Sequence, residues 1–154
     1  MNGVQISSAR DALYIASERE KRAVKLYERA AMLWPDNEMT PAIEGMLADE
    51  KQHYKHFMSL MGDTVPAQAD ALLLSAYAGG ILFEGGLHAA ARQGAFDSPE
   101  ALIRYAAAQE QIAVDSYTRF AAQCDHAPAA QSAFLQIAQE ESLHLTALHR
   151  ALAT

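Results

Sequence analysis

The chain has a single cysteine, Cys124, so no disulfide can form within it. The paired Cys-x-x-Cys units of a zinc ribbon or a rubredoxin-type iron site are also missing. Only 8 glycines and 5 prolines interrupt 154 residues, which is the composition of a compact globular chain. Basic residues are scarce: 12 Lys and Arg against 19 Asp and Glu leave a net charge of -7. That balance argues against a nucleic-acid partner or an anionic membrane surface. The most apolar uncharged stretch, Ala71 to Phe83, is 13 residues long and is closed by Glu84. It falls short of the roughly 20 residues that a bilayer requires, so no membrane span is expected. The start of the chain, Met1-Asn2-Gly3-Val4-Gln5, has no basic region followed by an apolar run, and a cytoplasmic location is the expectation.

What is present is hydrophobic residue (51%) and good helix formers, in a length suited to one domain spanning 1–154. Four segments carry helical periodicity, each with a core seam in steps of three and four. The first runs Leu13, Ala16, Glu20, Ala23, Tyr27, Ala30, Trp34 and stops at Pro35. The second opens at Thr40-Pro41, with Thr40 as a candidate N-cap, and runs Ile43, Met46, Glu50, His53, Phe57, Leu60 to Gly62. The third opens at Asp97-Ser98-Pro99-Glu100 and runs Ile103, Ala106, Glu110, Ala113, Tyr117, Phe120, Cys124. The fourth starts near Pro128 and runs Phe134, Ile137, Glu141, His144, Leu148, Ala151.

The two halves repeat. "EKRAVKLYERAA" from Glu20 lies over "EQIAVDSYTRFAA" from Glu110, with an offset of 90 residues for the Glu, Ala and Tyr positions. Glu50 and Glu141, like His53 and His144, are offset by 91. A helical hairpin used twice predicts an all-α four-helix bundle with a pseudo-two-fold axis, its short-looped pairs antiparallel. The connection over 62–97 is too long for a bare loop. It predicts one or two extra helical pieces crossing the outside of the bundle, broken by Gly79-Gly80 and Gly85-Gly86.

Seam positions normally hold apolar residues, yet mid-helix they hold Glu20, Glu50, His53, Glu110, Glu141 and His144. Four facing buried carboxylates would repel, and each would lose hydration at a cost of several kcal/mol. Two divalent cations would compensate them. Glu-x-x-His places both side chains on one helical face, able to reach one ion. A Glu from each of two helices with a Glu-x-x-His from each of the other two is the ligand pattern of di-iron carboxylate bundles. Mixed oxygen and imidazole ligands with open positions suit iron first; manganese or zinc are the alternatives.

With "MLADEKQHYKHF" and "QIAQEESLHLTAL" as the matching helices, the chain resembles the ferritin-like superfamily, and within it the rubrerythrin-type proteins. The resemblance covers nearly the whole chain except 62–97, which is longer than in typical members. It implies Glu50 and Glu141 as carboxylates bridging two iron ions, Glu20 and Glu110 as terminal carboxylates, and His53 and His144 with one ion each. The chain departs from rubrerythrins at Ala113, where they usually carry a further carboxylate, and in having no rubredoxin domain. The remaining six ligands are similar to the set in bacterioferritins.

Asp49 and Glu140 precede the two repeated glutamates. Each either accepts the free ring N–H of the histidine across the pair, Asp49 from His144 and Glu140 from His53, or is a surface charge. Tyr27 and Tyr117 either bond site carboxylates, act as redox-active phenols, or pack in the core. His56, His88, His126 and His149 lack matched partners and are expected at or near the surface. Glu84 and His88 are four apart, but Gly85-Gly86 weakens any helix joining them. Met32, Met39, Met46, Met58 and Met61 are expected to pack rather than bind metal, and Cys124 to act as a small hydrophobe.

The functional expectation is a non-haem di-iron oxidoreductase that reduces peroxide, or dioxygen, with electrons from an external donor. Ferroxidase activity for iron storage or detoxification is the alternative. A helical interaction module with structural metal, built around the apolar 71–83 segment, is the alternative of another class. A homodimer is expected, because that segment needs a partner surface.

Overall fold

A computed structural model of the chain describes residues 8–63, 65–78 and 86–153. Gly79-Gly80, Glu84 and Gly85, and so the Glu84–His88 pairing, lie outside the described residues. All regular structure among the described residues is helical: α1 (Ala9–Leu33), α2 (Thr40–Met61), α3 (Ala69–Ala78), α4 (Leu87–Arg92), α5 (Pro99–Gln123) and α6 (Pro128–Ala153). None of these helices is long and apolar enough to cross a membrane.

Local chemistry explains the ends. The Ser8 side chain accepts from the Asp11 amide at 3.2 Å and caps α1, which stops at Trp34 because Pro35 cannot continue it. Ser98 caps α5 in the same way, accepting from the Ala101 amide at 3.1 Å, with Pro99 in the first turn. α2 differs from expectation. Thr40 is its first helical residue rather than its cap, and its hydroxyl donates to the Trp34 carbonyl. The turn is instead ordered by the Asn37 side chain, which accepts from the Met39 amide at 2.9 Å. α2 ends at Gly62, whose φ of 84° is left-handed backbone that glycine adopts without a steric penalty.

The four long helices pack in two hairpins, α1 with α2 and α5 with α6, which meet through α1–α5 and α2–α6 contacts. Their buried side chains form two apolar clusters. The first joins Ala12, Leu13 and Ala16 to Phe57 and Met61, and Phe120 and Cys124 to Ala130 and Phe134. The second joins Leu26 and Ala30 to Ile43 and Met46, and Leu102 and Ile103 to Leu148. The start of each first helix therefore meets the end of its partner, so both hairpins are antiparallel. Between the clusters every long helix contributes buried polar residues: Glu20 from α1, Glu50 and His53 from α2, Glu110 from α5, Glu141 and His144 from α6. One charged layer thus divides the core.

The long connection supplies α3 and α4, both packed on α1. Leu72 and Ala76 anchor α3 in the first cluster, and Ala90 anchors α4 in the second. Two expected details shift. In α2 the deeper final residue is Met61, with Leu60 only partly buried. Met32, expected to pack, is 73% exposed, because it falls on the opposite side of α1 from Ala30.

Candidate metal centre

All six seam residues meet in the charged layer. The four glutamates are fully buried and the two histidines nearly so. Glu20, Glu50, His53 and Glu141 can offer ligand atoms within 4.8 Å of one another, and so can Glu50, Glu110, Glu141 and His144. Glu50 and Glu141 belong to both groups, as a centre for two ions requires. The two imidazole rings face each other with centroids 6.2 Å apart.

Each histidine turns one ring nitrogen inward and one outward. His53 Nε2 lies 3.2 Å from Glu140 Oε2, and His144 Nε2 lies 2.9 Å from Asp49 Oδ2. These contacts follow the crossed pairing expected from the repeat, although both carboxylates are substantially exposed. An ionised carboxylate only accepts, so Nε2 carries hydrogen in both rings. Nδ1 then faces the centre: 3.1 Å from Glu50 Oε1 and 3.3 Å from Glu141 Oε1 in His53. In His144 it lies 3.2 Å from Glu141 Oε1 and 3.6 Å from Glu50 Oε1. None of these four inward atoms makes a well-aligned hydrogen bond.

The tyrosines cross over in the same manner. Tyr27 donates to Glu110 Oε1 at 2.6 Å, and Tyr117 to Glu20 Oε1 at 3.1 Å. Both are also core residues, Tyr117 with its ring against Phe57, so packing and carboxylate bonding coexist. His56, His88, His126 and His149 are all exposed and stand apart from this layer.

Sequence reasoning missed Arg19. Its side chain is only 2% exposed and runs into the layer. Nη1 lies 3.2 Å from Glu20 Oε2, 2.8 Å from Glu50 Oε2 and 2.5 Å from Glu141 Oε2, while Nη2 lies 3.4 Å from Glu110 Oε2. The signal was available: Ala12, Ile15, Arg19 and Leu26 form a second buried stripe on α1 beside the named seam. Compensation of the carboxylates by metal alone, as reasoned from sequence, is therefore corrected. One positive charge is built into the chain.

These contacts fix the electrostatics of the layer. Burial raises the carboxyl of Glu50 well above the carboxylate range, and Glu141, Glu20 and Glu110 raise it further. Burial and Glu141 likewise raise Glu110. Burial opposes ionisation of Glu141 too, but Arg19 and the facing histidines outweigh it and hold its carboxyl well below the usual range. Glu141 keeps the negative charge because it lies nearest Arg19. Burial lowers both histidines, yet the surrounding carboxylates win: Glu141, Glu20 and Glu50 raise His53, and Glu110 and Glu141 raise His144 to about 11.

A pH dependence follows for protein kept metal-free by a chelator. A raised histidine contributes stability that is fully present below its ordinary value of 6.5 and is lost toward about 11 for His144. Raised Glu50 and Glu110 act with the same sign, since the folded chain holds protons that the unfolded chain has released. The opposite contribution of Glu141 is confined to acid pH. The melting temperature of the chelated protein is expected to fall steadily from pH 6.5 to 9. A rise across that window would mean that these groups are not protonated in the fold.

No protein-family model matches the chain, and no curated protein or solved structure matches it.

Proposed function

We propose that the chain is a ferritin-like four-helix bundle, similar to the rubrerythrin type, that holds two metal ions, iron first among the candidates. We infer further that it is a non-haem di-iron oxidoreductase, reducing peroxide or dioxygen with electrons from an external donor. One observation carries this reading. His53 Nδ1, His144 Nδ1, Glu50 Oε1 and Glu141 Oε1 are buried, turned toward one another and without a well-aligned hydrogen bond. Buried polar atoms are rarely left so, and each of these is a good ligand for a divalent cation. The residues fit two ions: Glu20 and His53 for one, Glu110 and His144 for the other, with Glu50 and Glu141 shared.

Two ferrous ions would supply one electron each, the two that peroxide needs, with two protons from solvent, to become two waters. The chain does the rest by positioning. Asp49 and Glu140 hold the imidazoles so that Nδ1 points inward. Tyr27 and Tyr117 restrain the carboxylates of Glu110 and Glu20. The apolar clusters on either side keep bulk water from the layer.

The positioning makes a prediction. Asp49→Ala and Glu140→Ala, both on exposed residues, are expected to leave the fold intact. Each should weaken one of two binding steps by about 10–100-fold in a Co(II) titration. Isotherms identical to that of the unmutated chain would remove both residues from the account.

The reaction is tested by loading the chain anaerobically with Fe(II) and following the visible spectrum on adding peroxide and, separately, dioxygen. Rapid oxidation by peroxide with turnover once a chemical reductant is supplied is the expected result. No spectral change would overturn the oxidoreductase reading. A very large assembly retaining iron well beyond two ions per chain would transfer the site to ferroxidase work.

A further inference from the structure

Resting on that two-metal reading, we infer that Arg19 is an internal cation that competes with metal for the carboxylates. Metal then loads by exchange with its guanidinium rather than into a waiting cage.

The oxygens of the layer divide by direction. The Oε1 atoms of Glu50 and Glu141 face the histidines, whereas the Oε2 atoms of all four glutamates face Arg19. Were Glu50 and Glu141 each to share two ions through both oxygens, Oε2 would be needed as well as Oε1, and Oε2 is the atom that Arg19 holds. A guanidinium serving only as a buried ion pair needs one carboxylate, and this one spans four. It sits where a cation is most strongly attracted.

The repeat adds a second, independent observation. The position equivalent to Arg19 in the other hairpin is Gln109, 90 residues on, which is only partly buried. Arg19 Nη2 reaches the Gln109 backbone carbonyl at 3.5 Å. A layer duplicated in its six ligands, its two tyrosines and its two outer carboxylates is therefore single in this one charge. That asymmetry has a consequence for binding, because one positive charge opposes each arriving divalent ion. The long flexible arginine stem allows the head to withdraw while its α1 backbone stays in place.

The test compares the parent chain with Arg19→Lys and Arg19→Met, with Co(II) alone as the probe, by titration calorimetry and melting temperature with and without metal. Arg19→Met removes the charge at similar length; Arg19→Lys keeps a charge but has one donor group, unable to span four carboxylates. Without metal, both variants are expected to melt below the parent, Arg19→Met the lower. The rise in melting temperature on adding Co(II) is expected to be smallest in the parent, larger in Arg19→Lys and largest in Arg19→Met. The dissociation constant should drop about tenfold or more in Arg19→Met. If Arg19→Met does not fold without metal, the parent and Arg19→Lys alone decide. A Co(II)-induced rise in Arg19→Lys no larger than in the parent, with two ions bound to each, overturns the exchange and leaves the two-metal reading standing. Absence of Co(II) binding in all three overturns both.

Discussion

A Glu50→Ala, Glu141→Ala double variant is expected to bind no divalent metal, whereas the parent is expected to bind two ions. Each of these residues belongs to both groups of potential ligands, so removing the pair leaves each group with one glutamate and one histidine. Two ligands do not hold an ion against water at a site built for more. Without metal the variant is expected to stay helical, because Glu50 already tends toward its neutral form and Arg19 keeps Glu20 and Glu110 as partners. Circular dichroism of the variant without metal therefore checks the fold, and dialysis against Co(II) followed by metal analysis checks the site. Unchanged stoichiometry in a folded variant would place the ions elsewhere.

Phe134→Ala is expected to destabilise the chain by about 3–5 kcal/mol. Phe134 is fully buried and is the hub of an aromatic group, with ring centroids 5.3 Å from Phe57, 5.7 Å from Tyr117 and 5.5 Å from Phe120. Truncation opens a cavity that four helices cannot close without moving apart. The effect should reach the charged layer, because Tyr117 is the residue that holds Glu20. Of the two binding steps, the one involving Glu20 and His53 is expected to weaken more. Chemical denaturation at fixed pH measures the first effect and a Co(II) isotherm the second. A loss below about 1 kcal/mol would mean that the core at this end is less tightly packed than its contacts indicate.

Much of this arrangement was legible in the sequence because it is periodic. Glu20, Glu50, His53, Glu110, Glu141 and His144 fall on apolar seams at helical spacing and recur after 90 or 91 residues, and the structure brings all six together. The crossed partners Asp49 and Glu140 were legible for the same reason: a repeat places equivalent residues on opposite sides of its axis. Arg19 was not, since a charged residue beside another charge on an amphipathic helix reads as solvated surface. Only the company of Ala12, Ile15 and Leu26 on its stripe marked it as buried. The repeat concealed it further, because Arg19 is where the two halves differ.

The remaining departures are also physical. Thr40 has the right residue type for a cap, but Asn37 orders the turn one step earlier and carries the helix back to include it. A helix has 3.6 residues per turn, so a seam followed in steps of three and four drifts, and by the end of α2 Met61 has replaced Leu60. The length and apolar content of the long connection predict helix, and α3 and α4 are the helices it forms among the described residues. Their attachment to α1 depends on Leu72, Ala76 and Ala90 finding pockets in the two apolar clusters. No local pattern encodes that.

The charged layer is proposed to hold two metal ions, with Arg19 as their internal competitor. The most direct measurement is the number of ferrous ions bound per chain after anaerobic equilibrium dialysis at neutral pH, by metal analysis against protein concentration. Two ions per chain, lost on Glu50→Ala, Glu141→Ala substitution, is the predicted result. Fewer than two at saturating Fe(II), or two that persist in the double variant, would contradict it.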